Sequence, residues 1–205
     1  MGAPSAVIFD VGNVLYDWNP RYLYERLIGD DRALDAFLGN VATKAWHFQH
    51  DAGRAFAETS AELAAAHPEF AEMIALWGPR FDEQIPHALP GMTQLVADLD
   101  ESGVPLFAIT NFSGEFWPQF RNRESALFDR FRDIVVSGDE KLVKPDPAIY
   151  ALALARFGLT GTDAVFVDDR EDNVAAAFDA GIHGLLFTGA DKLRVDLEAL
   201  GLLRT

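Results

Sequence analysis

The 205-residue sequence contains no cysteine. This absence excludes disulfide bonds, a thiol nucleophile and thiolate-bound zinc or iron–sulfur centres. Long apolar runs are also absent, because no stretch approaches the roughly eighteen apolar residues of a membrane span. No basic segment followed by an apolar stretch precedes the first predicted strand, so a secretion signal is not indicated. We therefore expect a soluble, cytoplasmic protein without a membrane partner.

Basic residues are scarce, with 17 Lys and Arg against 32 Asp and Glu, which gives a formal net charge of −15. Proteins bind nucleic-acid backbones through clustered Lys and Arg, and the sequence has no such cluster. We therefore expect no nucleic-acid partner. An anionic small-molecule substrate must be held by a local cation and a metal rather than by the overall field.

Apolar residues make up 49% of the chain, including 16 Phe, which is enough for one large packed core. β-branched and aromatic runs alternate with helical patterns along most of the chain. This alternation predicts an α/β fold with a doubly wound parallel sheet. The predicted strands cover residues 6–9, 106–109, 134–136, 164–167 and 184–187, and the predicted helices cover 92–99, 147–157, 173–180 and 190–200.

The segment between the first and second strands contains only helical patterns, and Asn19-Pro20 predicts the start of its first helix. A Pro-rich stretch over 85–91 ends these patterns and indicates a linker. We therefore predict an all-helical cap domain over 17–88, inserted into a catalytic core that comprises 1–16 and 89–205. An insert of this size beside a strand end is typical of a lid.

Polar side chains follow four of the predicted strands, and the carboxyl ends of parallel strands are where open α/β folds place their sites. They are Asp10, Thr110-Asn111, Lys144 and Asp168-Asp169. Taken singly, Asp10 is better explained as a turn residue, Thr110 as a loop hydroxyl and Lys144 as a surface cation. Adjacent carboxylates repel each other unless a positive group lies nearby, which indicates Mg²⁺ beside Asp168-Asp169, although a hydrated loop pair is the alternative.

Together these groups resemble the haloacid dehalogenase (HAD) superfamily, whose helical cap the insert also resembles. Further short motifs are similar to the branch of that superfamily that contains bacterial α-D-glucose-1-phosphate phosphatase. The superfamily motifs span 9–15, 109–111, 144–150 and 166–173, with Ala180-Gly181 beyond them, and the branch motifs are Gly12-Asn13-Val14, Trp18-Asn19-Pro20, Asp51-Ala52-Gly53 and Phe116-Trp117-Pro118.

The resemblance implies that Asp10 attacks phosphorus and forms an aspartyl-phosphate, which water then hydrolyses. Thr110 is expected to bind a phosphoryl oxygen, and Lys144 to supply a fixed positive charge. The cofactor implied is Mg²⁺, with Asp10, Gly12, Asp168 and Asp169 as its expected ligands. Substrate contacts are expected from Asn13, Asn111, His47 and His50.

Gly12 departs from the family pattern, because most phosphatases of the superfamily carry a second Asp there that protonates the leaving group. Either the leaving group departs with little help, as an anomeric hydroxyl would, or the cap supplies the acid. His47 and His50, three residues apart in the cap, are the candidates because imidazoles titrate near neutral pH. A surface position is the alternative for each of them.

The predicted function is a Mg²⁺-dependent phosphatase acting on a small phosphorylated metabolite, for which a sugar phosphate is one option. A metal-independent 2-haloacid dehalogenase is the alternative, since it uses the same Asp nucleophile and needs no acid. Against it stand Asp168-Asp169, where dehalogenases of the superfamily carry neutral residues, and the absence of an Arg near Val41. A catalytically idle partner-binding protein is disfavoured by the complete set of nucleophile, lysine and acidic pair.

Overall fold

The computed structural model describes residues 3–203 of the chain. Its centre is a parallel five-stranded sheet with strand order β3-β2-β1-β4-β5, which confirms the predicted doubly wound α/β fold. The strands are β1 (Ala6–Phe9), β2 (Leu106–Thr110), β3 (Asp133–Val136), β4 (Ala164–Asp168) and β5 (His183–Leu186).

Helices cover both faces of the sheet and fill the insert after β1. Those of the insert are α1 (Arg21–Tyr24), α2 (Asp31–Asn40), α3 (Lys44–Asp51), α4 (Phe56–Ala66) and α5 (Ala71–Leu76), with 3₁₀ turns at Pro68–Phe70 and Phe81–Gln84. Those after it are α6 (Met92–Glu101), α7 (Trp117–Arg123), α8 (Ser125–Phe128), α9 (Ser137–Glu140), α10 (Pro147–Phe157), α11 (Glu171–Asp179) and α12 (Ala190–Ala199), with a 3₁₀ turn at Gly161–Asp163.

Strand β1 is the central strand and is buried on both faces. Val7 and Phe9 pack into the core on one face of the sheet, whereas Ala6 and Ile8 pack into the core on the other. A strand buried on both sides needs the continuous apolar run that the sequence has here. The pairing of β1 with both β2 and β4 then delivers Asp10 to the middle of the sheet's carboxyl edge.

The insert leaves and rejoins the core at one narrow point. Tyr16 and Ala88 form an antiparallel bridge there, and the Leu89 amide donates to the Leu15 carbonyl at 2.9 Å. We call this pairing the neck. All five α-helices between β1 and α6 lie between its two sides, as expected for a helical insert, while the division into cap and core domains stays a prediction.

Two local predictions differ in outcome. Helix α10 has the predicted bounds 147–157, and Asp146 caps it, because the Asp146 side chain accepts from the Ala148 amide. The Asn19-Pro20 signal is displaced by one position: α1 begins at Arg21, although the Asn19 side chain does accept from the Arg21 amide. Across residues 3–203, no helix combines the length and apolar character that crossing a membrane requires.

Candidate active site

The strongest feature of the carboxyl edge is a buried ion triad. Lys144 Nζ lies 2.8 Å from Asp10 Oδ1 and 2.7 Å from Asp168 Oδ2, and the lysine side chain is almost fully buried. A buried lysine between two carboxylates satisfies charges that would otherwise be costly to remove from water. The three side chains therefore hold one another in a fixed arrangement where β1 and β4 end.

The charges of the triad shift its proton equilibria. Burial raises the pKa of Asp10 to about 7, although the positive charge of Lys144 opposes this shift. Burial acts to lower the pKa of Lys144, but the charges of Asp10 and Asp168 outweigh burial and raise it. Lys144 therefore stays charged, and its charge is what favours the ionised, nucleophilic form of Asp10.

The side chain of Asn111 holds the backbone of Lys144 in place. The Lys144 amide donates to Asn111 Oδ1 at 2.8 Å, and Asn111 Nδ2 donates to the Lys144 carbonyl at 3.0 Å. Asn111 was predicted to bind substrate, and it does line the cleft in front of Asp10. Both ends of its amide are nevertheless committed to Lys144, which makes its main contact structural.

The adjacent acids Asp168 and Asp169 have different surroundings. Asp168 is fully buried, and both of its oxygens accept hydrogen bonds, from Lys144 Nζ, the Arg170 amide and Asn173 Nδ2. Asp169 is partly exposed and lines the cleft. Burial, together with the charge of Asp168, raises the pKa of Asp169. The two residues therefore divide their roles between anchoring Lys144 and presenting an open carboxylate.

The residues at this edge fit a hard divalent cation. Asp10, Asp168 and Asp169 place one carboxylate oxygen each within 4.8 Å of the others. Three clustered carboxylates are the oxygen donors that Mg²⁺ prefers.

Gly12 borders the same cleft, and a Cβ added to it would meet only the Trp18 Cβ, at 3.9 Å. The missing side chain at position 12 thus leaves open space rather than relieving a clash.

Thr110 and Asn13 differ in whether the side chain already has a hydrogen-bond partner in the protein. Thr110 ends β2, and its buried hydroxyl has no hydrogen-bond partner among residues 3–203. Such a group is costly unless something binds it, so it is suited to an oxygen of a ligand. Asn13 has a left-handed backbone with φ of 59°, and its side-chain oxygen accepts from the Trp18 amide. It borders the cleft, but it shapes the turn after β1.

The cap histidines are buried rather than lying at the surface. His47 borders the cleft between the rings of Trp18 and Phe81, and its Nδ1 accepts from Trp77 Nε1 at 3.2 Å. Because an indole nitrogen only donates, His47 carries its proton on Nε2 and is neutral. Burial and the neighbouring His50 lower its pKa to about 3. His47 therefore has no proton to give as an imidazolium at neutral pH.

His50 does not face the cleft. It is fully buried, its Nε2 lies 2.6 Å from Thr59 Oγ1, and it is absent from the residues that line the cleft within 3–203. Burial lowers its pKa to about 4, with a contribution from the charge of Arg54. The expectation that His50 binds substrate is therefore not supported by its position, because packing between α3 and α4 turns it inward.

Asp51 is the residue that the sequence reasoning overlooked. It ends α3, lines the cleft with Asp10 and is only 6% exposed. Burial and the charge of Asp10 raise its pKa well above the ordinary value. In the sequence Asp51 stood out only as the first residue of the motif Asp51-Ala52-Gly53, and no chemical role was assigned to it, because the nearby histidines looked better suited to transfer a proton. Only the packing of α3 over the strand ends reveals Asp51.

The cleft has a volume of about 590 Å³, which is typical of small-molecule sites. Polar groups line the cleft at the strand ends, and large apolar side chains line much of the remainder. We call these apolar residues the aromatic wall; Trp18, Phe48, Phe81 and Ile85 come from the insert, and Phe112 follows β2. The polar residues that α3 adds to the cleft are Lys44, His47 and Asp51.

Comparison with known proteins places this geometry in context. Residues 4–181 match the model of a family of hydrolases, the haloacid dehalogenase-like hydrolases. The chain is 28% identical over 202 residues to the sesquiterpene phosphatase astK of Aspergillus oryzae, covering 96% of each protein. It is 32% identical over 114 residues to flavin mononucleotide hydrolase 1 of Arabidopsis thaliana, covering 56% of this chain and 46% of that protein.

Solved structures agree on the fold. A HAD family enzyme of Bacteroides thetaiotaomicron, crystallised with magnesium and inorganic phosphate, superposes with a TM-score of 0.69 at 18% identity, covering 91% of this chain and 95% of that one. A dehalogenase superposes with a TM-score of 0.67 at 17% identity, covering 92% and 86%. At such identities these likenesses concern the fold alone. The match over 4–181 decides the family: the chain belongs to the haloacid dehalogenase-like hydrolases.

Proposed function

We propose that this protein is a Mg²⁺-dependent phosphatase that cleaves small phosphate monoesters through an aspartyl-phosphate on Asp10. The buried triad of Lys144, Asp10 and Asp168 is the observation that carries this proposal. Phosphoryl transfer needs a fixed anionic nucleophile beside fixed positive charge, because catalysis comes chiefly from positioning and electrostatic stabilisation. The relatives named as a sesquiterpene phosphatase and as a flavin mononucleotide hydrolase support the same reaction class.

In this mechanism an Asp10 carboxylate oxygen attacks phosphorus in line with the leaving oxygen. Lys144 offsets negative charge on Asp10 and on the transferring group. The Thr110 hydroxyl, which has no hydrogen-bond partner in the described part of the chain, donates to a phosphoryl oxygen. Asp10, Asp169 and the Gly12 carbonyl would hold Mg²⁺, whose charge further neutralises the phosphoryl oxygens. Asp168 keeps Lys144 in place. Water then attacks the aspartyl-phosphate and releases inorganic phosphate.

The test is a panel of phosphate monoesters assayed with Mg²⁺ and with EDTA, for the parent and for Asp10→Asn. Phosphate release that needs both Mg²⁺ and Asp10 is the expected result. An acid-quenched single turnover with ³²P-labelled ester should also leave label on the parent protein. A 2-haloacid in the same panel tests the dehalogenase alternative, which the acidic pair disfavours. Halide release that persists in EDTA, without phosphate release, would reject the proposal.

For the leaving group we propose an alcohol with an apolar body. The aromatic wall can bury such a group, whereas α3 adds only Lys44, His47 and Asp51 to recognise hydroxyls. The relative named as a sesquiterpene phosphatase is consistent with this class. A sugar 1-phosphate is the second candidate, favoured by the motif likeness to the α-D-glucose-1-phosphate phosphatase branch and by the anomeric leaving group.

Steady-state kinetics with an isoprenyl phosphate and with glucose 1-phosphate separate the two candidates. We expect the isoprenyl ester to have the larger kcat/KM, and Phe48→Ser to raise its KM with little change in kcat. Phe178→Ser is the matched control, since Phe178 is exposed and lies outside the cleft lining. A larger kcat/KM for glucose 1-phosphate, unaffected by Phe48→Ser, would reject the apolar leaving group.

A further inference from the structure

The proposed reaction lacks a proton donor. The residue two positions after Asp10 is Gly12, which cannot transfer a proton. His47 is neutral because Trp77 occupies its Nδ1, and His50 lies away from the cleft. An alkoxide leaving group is nevertheless costly to expel unprotonated. Some other group that borders the cleft must therefore supply the proton if alkyl esters are substrates.

We infer that Asp51 is the general acid and base of this enzyme, supplied by the cap helix α3 in place of the missing side chain at position 12. This inference rests on the proposed phosphatase function. Asp51 lines the same cleft as Asp10, and its Oδ1 is buried without a hydrogen-bond partner among residues 3–203. A buried oxygen without a partner is costly, and a proton shared with a substrate oxygen would satisfy it.

The surroundings of Asp51 suit both of its protonation states. Burial in apolar surroundings next to the charge of Asp10 favours the protonated acid, which is the form needed before the leaving group departs. The backbone amide of Ser113 acts to lower the pKa of Asp51, and the Nε2 proton of His47 lies near Oδ1, with the two heavy atoms 3.6 Å apart. Together with the charge of Lys144, these donors stabilise the carboxylate that forms after the proton has left.

The two half-reactions then balance. In the first, an Asp10 oxygen bonds to phosphorus, the bond from phosphorus to the leaving oxygen breaks, and that oxygen takes the proton of Asp51. The alcohol leaves an aspartyl-phosphate and an ionised Asp51. In the second, Asp51 takes a proton from water as the water oxygen bonds to phosphorus. The bond to Asp10 breaks, and inorganic phosphate and both starting side chains are restored.

The deciding variant is Asp51→Asn, which keeps the shape and the neutral charge of the protonated acid but cannot donate its proton. We expect kcat/KM for an alkyl phosphate such as n-butyl phosphate to fall about 100- to 1,000-fold. For p-nitrophenyl phosphate, whose leaving group needs little protonation, the loss should stay below about tenfold. Equal losses on both esters, or no loss on either, would overturn the inference.

Three further variants sharpen this result. Gly12→Asp introduced into Asp51→Asn should recover at least about tenfold of the alkyl-ester rate, because position 12 has room for a side chain. Glu72→Gln, an exposed acid elsewhere in the cap, is the matched control and should match the parent on both esters. Asp10→Asn separates the two proposals. Ester turnover that survives in Asp10→Asn, or a parent inactive on all esters, counts against the phosphatase itself.

The parent alone gives an independent measurement should Asp51→Asn fail to fold. With a general acid present, the rate should depend only weakly on leaving-group pKa, and a steep dependence would overturn the inference. For alkyl esters the rate should also fall at high pH, and this fall should be absent for aryl esters. The charged and titratable groups that face Asp51 are Asp10, Lys144 and His47. The pH dependence of the rate therefore reflects the coupled titration of all four side chains, not of Asp51 alone.

Discussion

Asp168 and Asp169 are adjacent in sequence, yet we predict different consequences when each is replaced with Asn: the first change should lower stability, and the second should weaken Mg²⁺ binding. Asp168→Asn removes a buried charge that binds Lys144 Nζ at 2.7 Å. Removing one partner of a buried ion pair costs about 3–5 kcal/mol of unfolding free energy. In a protein of this size each kcal/mol lowers Tm by about 2–4 °C, so Tm should fall by about 6–20 °C.

Asp169→Asn should leave stability almost unchanged and raise the Mg²⁺ concentration that activity requires. The Asp169 carboxylate is partly exposed and forms no ion pair within residues 3–203, so its loss should change the unfolding free energy by less than about 0.5 kcal/mol. Because its oxygen is an open ligand, the Mg²⁺ concentration for half-maximal activity should rise by at least about tenfold. Asp168→Asn should change this concentration less, since both of its oxygens are already bonded.

Thermal unfolding in EDTA and a Mg²⁺ titration of activity measure the two effects separately. Asp179→Asn, an exposed acid at the end of α11, is the control for removing one negative charge from this region. The division of roles is refuted if Asp168→Asn melts within about 2 °C of the parent. It is equally refuted if Asp169→Asn loses as much stability as Asp168→Asn does.

Three further substitutions test the remaining parts of the site. Asp10→Asn should lower kcat by at least about 1,000-fold with an unchanged circular-dichroism spectrum, since the nucleophilic charge is lost but the shape is kept. Lys144→Met should lower the free energy of unfolding by about 3–5 kcal/mol near pH 8 in urea titrations. The loss should be smaller near pH 5, where protonation of Asp10, whose pKa burial raises to about 7, removes its uncompensated charge. Thr110→Val should lower kcat/KM by about 10- to 100-fold while Tm hardly changes, because the Thr110 hydroxyl has no hydrogen-bond partner to lose within residues 3–203. A large loss of Tm would contradict this assignment.

The sheet and the polar residues at its carboxyl edge could be predicted because their signals are local. Apolar runs fix the strands, and the polar residue that ends each run fixes what reaches the edge. Asp10, Lys144 and Asp168 converge as that reasoning requires. Helices α7 and α8 were not predicted, because the aromatic residues of 112–128 carry no clear helical period and pack into the core from several directions.

The cap side of the site could not be predicted, because the surroundings of a side chain there depend on packing between distant segments. His47 is neutral because Trp77, thirty residues away, donates to it. Asp51 is buried because α3 lies over the strand ends, where Ser137 Oγ donates to the Asp51 carbonyl at 2.6 Å. Neither contact leaves a trace in the local sequence pattern, so the imidazoles looked more suitable than the carboxyl beside them.

The neck between Tyr16 and Ala88 has a consequence for how such an enzyme can diversify. Residues in an antiparallel pair lie about 5 Å apart, so the insert begins and ends at almost the same point of the core. Helices between these two points can lengthen, shorten or be exchanged without altering the register of β1 against its neighbours. Selection can therefore remodel the insert, including the proton donor proposed on α3, while the residues at the strand ends, encoded elsewhere in the gene, are inherited unchanged.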